Sequence, residues 1–320
     1  MYNNLMNKTP FSLAPEYRDY VWGGAKLRPD VVPTAEAWII FAGNRITTGP
    51  YAGRVLSDLA LEFGADLLGT RAVAQTGTRF PVLVKILDCA QWLSLQVHPN
   101  DEQAQRLEGK GFFGKTEAWN VLEAEPNAKL VAGIKPHISP EQLTSAIESK
   151  SKTILDLVQM AEVKAGDTLF MNPGTIHALG PGMLIYEIQQ TSDITYRVYD
   201  WGRPETEKRK LHTEKAVEVS NPDAVSLVVS LPQLADGEPQ TLTQCEFFNL
   251  DIVQLQEKTV SLETGGESFH GLTVIEGQVQ VSAEGEAFVL NKFETLLIPA
   301  CCGEYQILPL QESKVLKASV

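Results

Sequence analysis

The chain is a succession of short apolar runs broken every few residues by Gly, Pro and Asn, which restricts it to a mainly β architecture. The clearest strand candidates are FPVLVKIL (80–87), WLSLQVHP (92–99), KLVAGI (129–134), DTLFMN (167–172), MLIYEIQQ (183–190) and ITYRVYD (194–200). SPEQLTSAIESKSKTILDLVQMA (139–161) differs. Ser139 followed by Pro140 and Glu141 is a helix start with proline at the first helical position. Leu143, Ile147, Ile154, Leu155 and Leu157 then fit one or two short amphipathic helices, a helical segment over about 137–161. Further short helices are expected over 56–69 and 101–109.

Near 231–242, LPQLADGEPQTL carries Pro, Gly and Asp without apolar periodicity, so it is expected to be a linker. Short strands resume after it, with Glu276-Gly277 and Glu284-Gly285 as hairpin turns. The expected domains are therefore 1–230, the linker 231–242, and a small β domain over 243–320.

With 43% hydrophobic and 21% charged residues, the 320-residue chain can bury a substantial core. A net charge of −13 argues against nucleic acid, whose phosphates need clustered Lys and Arg. It leaves room for a small anionic substrate held by two or three placed cations. No stretch of about 18 apolar residues is present and the first residues lack a secretory pattern, so no membrane partner and a cytoplasmic location are expected. Cys89, Cys245, Cys301 and Cys302 show no metal-binding spacing, and reduced thiols are expected.

The chemistry concentrates in LSLQVHPND (93–101). Period-two alternation puts Ser94, Gln96 and His98 on one face of this strand and Leu93, Leu95 and Val97 on the other. His177 follows a Pro-Gly turn in NPGTIHALGPG, and Glu117 lies in GFFGKTEAWNVL; His137, His212 and His270 have no comparable setting. Two imidazoles, a carboxylate and an amide oxygen suit a borderline divalent ion such as zinc, with one position open for water or substrate. Cations also sit in unusual places. Lys85 is embedded in the apolar run VLVKIL, Lys115 precedes Glu117, and Arg197 alternates with Thr195 and Tyr199 on one strand face. Cations so placed either pair with a carboxylate such as Glu187 or Asp193, or bind an anion.

Taken together, YRDYVWGG (17–24), EAW (36–38), PVLVKILD (81–88), LSLQVHPND, GKTEAWNVLEAEPNA (114–128), PGTIHALGPGMLIYEIQQTSDITYRVYDWGR (173–203) and LHTEKA (211–216) resemble type I mannose-6-phosphate isomerase in its short bacterial form. The resemblance covers most of 17–216 and is only general in the last third. It implies a cupin-type β-barrel (jelly roll) catalytic domain with helical insertions, followed by a smaller C-terminal cupin-like β-barrel. It also implies one Zn²⁺ per chain on Gln96, His98, Glu117 and His177. The reaction would interconvert mannose 6-phosphate and fructose 6-phosphate through a cis-enediol. Arg197, Lys115 and Asp193 are the implied catalytic groups, with Ser94, Lys85 and Glu187 contacting the substrate and Lys85 and Ser94 nearest its phosphate. The C-terminal barrel, with His270 and Glu294 but no HxH cluster, is expected to hold no metal. The partner is a small sugar phosphate, and the protein is a monomer or homodimer. Three other readings stay open: isomerisation of another sugar phosphate, a non-catalytic sugar-phosphate-binding cupin, and a two-His-one-carboxylate iron oxygenase. Gln96 as a fourth ligand argues against the iron site.

Overall fold

A computed structural model describes residues 5–320, and it is mainly β. Contacts divide the chain into two compact units, one formed by Tyr17–Ala37 and Lys85–Leu231 and the other by the described residues up to Glu16, Trp38–Val84 and Pro232–Val320. The division cuts the strands Glu36–Ile40 and Val82–Cys89. One break, at Leu231/Pro232, falls within the stretch 231–242, but the residues up to Glu16 and Trp38–Val84 group with Pro232–Val320 rather than with the segments around them, because strand pairing joins segments far apart in sequence. Phe11–Ser12, for example, pairs with Thr295–Ile298. The stretch expected to be a linker contains the strand Pro239–Gln244.

In the unit formed by Tyr17–Ala37 and Lys85–Leu231, a five-stranded sheet runs in the order Tyr196–Tyr199, Leu95–Val97, His177–Leu179, Lys129–Ile134, Val158–Glu162. A six-stranded sheet runs Glu16–Arg18, Glu36–Ile40, Val82–Cys89, Met183–Gln190, Glu117–Ala124, Thr168–Met171. Neither sheet closes on itself, so the jelly-roll barrel takes the form of two separate sheets with a shared core. That core draws Leu130, Ala132 and Leu179 from the first sheet and Trp119, Val121, Leu169, Met183 and Ile185 from the second.

The alternation in 93–101 now has its explanation. Leu95 and Val97 face away from the second sheet and pack with Val131, Ile134 and Ala178 against Leu143 and Ile147 of the helix Pro140–Glu148 and Ala216 and Val219 of the helix Thr213–Val219. Each Val, Leu or Ile among them contributes roughly 1.5–3 kcal/mol on burial, and each Ala less. Gln96 takes the other face. Leu93 breaks the alternation, because the ladder starts at Leu95; its side chain joins the core between the sheets. The helix Pro140–Glu148 begins as expected. Ser139 Oγ accepts from Gln142 N at 3.3 Å and the Gln142 amide accepts from Ser139 N at 2.8 Å, a closed capping box. A 3₁₀ turn, Lys152–Asp156, follows. The end of the expected helical segment is instead the strand Val158–Glu162, which pairs with Lys129–Ile134.

In the other unit, a six-stranded sheet and a four-stranded sheet share a core of Val253, Leu255, Leu272, Val279, Val281, Ile298, Tyr305 and Ile307. Glu284-Gly285, both at positive φ, close the hairpin between Gln278–Ala283 and Glu286–Asn291 as expected. Glu276-Gly277 does not make a hairpin; it carries the chain from one sheet to the other. Gly277 is required there, because its φ is +78° and a Cβ would stand 2.2 Å from the Glu312 carbonyl oxygen. All four cysteines are free. Among the described residues no helix is long and apolar enough to cross a membrane.

Candidate active site

Strand register assembles the site. Gln96 stands directly opposite Arg197 on one side and His177 on the other, so three side chains from three neighbouring strands form one row on one face. On the second sheet, Glu117 lies opposite Gln189, and Trp119 opposite Glu187. His98 immediately follows its strand and is almost fully buried.

His98 Nδ1 lies 2.8 Å from the Ile194 carbonyl and His177 Nδ1 lies 2.8 Å from the Thr175 carbonyl. A carbonyl only accepts, so each Nδ1 carries the proton and each Nε2 keeps its lone pair. Those two Nε2 atoms lie 3.7 and 3.2 Å from the two oxygens of Glu117. Two ligand atoms held about 2.0–2.1 Å from a tetrahedral ion would be about 3.3 Å apart, so the spacing fits a metal centre. His98 Nε2 and Glu117 Oε1 are buried without a hydrogen-bond partner, as expected of groups whose partner is an ion. The Gln96 side-chain nitrogen, Nε2, lies 3.3 Å from His177 Nε2 and donates to it, so Gln96 sits beside the cluster with its nitrogen, not the oxygen that would ligate an ion, turned towards His177. Burial, reinforced by Lys115, pushes the His98 imidazole well below its usual pKa, and burial pushes that of His177 down to about 4. Both are neutral at pH 7 and free to coordinate. Burial also raises the Glu117 carboxyl to about 7, against the pull of Lys115, whose Nζ is 3.0 Å from Oε2.

Beside this cluster lies a cavity of about 280 Å³. Lys85, Ser94, Lys115, Glu187, Asp193 and Arg197 all line it, as does Gln96. The choice left open for Lys85 resolves as a pair: its Nζ is 3.0 Å from Glu187 Oε1 and 3.7 Å from Glu36 Oε2, all three side chains being buried. Burial favours neutral Glu187, but Lys85 and then Lys115 overcome it and hold the carboxyl down at about 2. The same pair of carboxylates keeps Lys85 protonated despite burial.

Several lining residues were not expected. Glu36, Tyr20, Lys208, Arg209 and His212 also face the cavity. His212, set aside in the sequence, accepts the Arg197 backbone N–H at Nδ1 (3.0 Å). Arg209 is held by Asp200 at 2.8 and 2.6 Å, while Lys208 makes no ion pair among the described residues. Glu36 lay within EAW and His212 within LHTEKA, so their segments carried a signal; Lys208 and Arg209 come from an irregular stretch that carried none.

A site of two neutral imidazoles and one carboxylate beside a cavity rich in cations suits a metal-dependent reaction on a small anion. The comparisons with known proteins agree. Residues 11–112 match the family model for phosphomannose isomerase type I, catalytic domain, and residues 238–308 match that for the mannose-6-phosphate isomerase cupin domain. Mannose-6-phosphate isomerase ManA of Bacillus subtilis (strain 168) is 33% identical over 315 residues, covering 94% of this chain and 96% of its own. The chain belongs to the type I mannose-6-phosphate isomerase family. A mannose-6-phosphate isomerase of Streptococcus mutans is likewise 33% identical, over 93% of this chain and 94% of its own length. The crystal structure of the mannose 6-phosphate isomerase from Bacillus subtilis superposes with a TM-score of 0.83 at 29% identity, covering 98% of this chain and all of that one. A putative mannosephosphate isomerase of Archaeoglobus fulgidus, 22% identical with a TM-score of 0.76, shares the fold.

Proposed function

We propose that this chain is a zinc-dependent aldose–ketose isomerase that interconverts mannose 6-phosphate and fructose 6-phosphate through a cis-enediol. The observation that carries this reading is the convergence of His98 Nε2, His177 Nε2 and Glu117, all within 4.8 Å, beside a cavity lined by cations. Gln96, His98, Glu117 and His177 would hold one zinc per chain. Gln96 stands in the row next to His177, near enough for its amide oxygen to serve as the fourth ligand once the side-chain amide is turned over. Bound there, zinc supplies Lewis-acid stabilisation of negative charge on the substrate's oxygens.

The chain's own residues divide the rest. Isomerisation moves a proton between C2 and C1, so one group must take it and one return it. Lys115 and Asp193, both on the cavity wall, are the assigned acid and base candidates. Arg197 stands opposite Gln96 in the ladder, which supports its role as the cation facing the anionic enediol. Ser94, two residues before Gln96, also lines the cavity and is assigned to the phosphate end. Lys85 was also expected there. Because Glu187 and Glu36 already neutralise it, we assign the phosphate to Lys208 with Ser94, and Lys85 with Glu187 to the sugar hydroxyls. Binding the phosphate away from the reacting carbons turns its binding energy into orientation at C1 and C2.

The test is a coupled assay for fructose 6-phosphate formed from mannose 6-phosphate, run before chelation, after it, and with Zn²⁺ restored. Turnover lost on chelation and regained with zinc is expected. No turnover with stoichiometric zinc bound would overturn the reading in favour of another sugar phosphate or a binding protein.

A further inference from the structure

Trp119 is absent from the cavity lining yet touches both halves of the site. It lies two residues beyond Glu117 on the same strand, so the two side chains share a face. Its indole is buried, and its Nε1 donates to Oε2 of Glu187, the residue directly opposite across the ladder, at 3.0 Å. The other oxygen of Glu187 faces Lys85 Nζ at 3.0 Å. The same indole meets the ring of His177 edge-on, with centroids 5.3 Å apart and planes at 74°. His177 belongs to the other sheet, and its Nδ1 is already committed to the Thr175 carbonyl.

A buried indole N–H needs some acceptor, and a backbone carbonyl would serve. Here the acceptor is an ionised wall carboxylate. Lys85 alone engages one oxygen and leaves Glu187 free to turn about its terminal torsion, which is soft. The N–H on the second oxygen removes that freedom. We infer that Trp119 is a positioning residue that locks the Glu187–Lys85 pair on the cavity wall and braces the His177 ring, fixing the wall relative to the metal ligands. The inference rests on the reading above that Lys85 and Glu187 meet the substrate.

Trp119→Phe keeps an aromatic edge beside His177 and deletes the N–H. It is expected to retain wild-type zinc content and to lose roughly tenfold in kcat/KM for mannose 6-phosphate, mostly in kcat. In a Glu187→Gln background the same change is expected to cost less than about twofold, since the partner it acts through is already altered. Should Trp119→Phe fold poorly, replacing Trp119 by its benzothiophene isostere deletes the N–H while keeping the shape. Trp119→Leu, which removes the ring from His177, is expected to speed zinc loss to a chelator roughly tenfold, whereas Trp119→Phe leaves that rate unchanged. Wild-type kcat/KM in the N–H deletions, an equal loss in the Glu187→Gln background, or an unchanged zinc-release rate in Trp119→Leu would overturn the inference. If Glu187→Gln alone is fully active, it is the assignment of Glu187 to the substrate that fails. If the wild-type protein does not turn over mannose 6-phosphate, the zinc-release rates alone decide whether Trp119 braces His177.

Discussion

Replacing Lys85 by Met tests whether the wall of the cavity is an electrostatic structure. Met keeps an unbranched apolar stem of similar length and removes the ammonium, its charge and its N–H donors together. Glu187 and Glu36 are then left buried beside an apolar side chain. In the wild-type protein the Glu187 carboxyl is held at about 2, against 4.5 for an ordinary glutamate. Removing one partner of a buried ion pair costs about 3–5 kcal/mol in general. The pH dependence fixes the cause. Because the wild-type folded value is depressed, its stabilisation is complete above pH 4.5 and is lost as pH falls towards 2. In Lys85→Met, burial and the facing Glu36 carboxylate outweigh the remaining pull of Lys115 and raise Glu187, so the variant gains stability as pH falls and the carboxyl takes up its proton. Urea unfolding of both proteins should therefore show a gap of about 3–5 kcal/mol at pH 8 that narrows at pH 5. A gap below about 1 kcal/mol, or one equal at both pH values, would refute the reasoning.

Other consequences follow from the same geometry. Metal competes with a proton on Glu117, raised to about 7, so apparent zinc affinity should fall as pH drops below 7 and level off above it. His177, depressed to about 4, adds nothing until far lower pH. Chelator competition between pH 5 and 8 measures this, and a flat profile would contradict it. Glu117→Gln removes the one carboxylate of the cluster and should lower zinc affinity by roughly a hundredfold or more, seen as substoichiometric metal by elemental analysis. Lys208→Ala should raise KM for the sugar phosphate about tenfold with kcat nearly unchanged; the reverse pattern would place Lys208 at the reacting carbons. Ile147→Ala, in the helix backing the Leu95–Val97 strand, should destabilise by about 2–5 kcal/mol with unaltered kcat, measured by urea unfolding beside the assay.

The local chemistry of this protein was written in its sequence. Alternation alone put Gln96 and His98 on one face, because strand side chains have a period of two whatever the strand pairs with. Ser139-Pro140 announced a helix start for the same local reason: the cap and the proline act within one turn. The stretch 158–161 was misread as helix because a short apolar run looks alike in either state, and its pairing with Lys129–Ile134 decides the matter.

What no local pattern could supply is register. Gln96 and His177 are 81 residues apart, Trp119 and Glu187 are 68, and only the ladders set each pair face to face. The partner of Lys85 was open between an anion and a carboxylate until Glu187 arrived from the neighbouring strand. Lys208 and Arg209 reach the cavity from a stretch with no periodicity to follow. The sequence therefore determined which residue types carry the chemistry and which way strand residues point. The tertiary structure decided which of them meet, because contacts between distant strands are set by how whole sheets pair and pack rather than by any property of the residues between them.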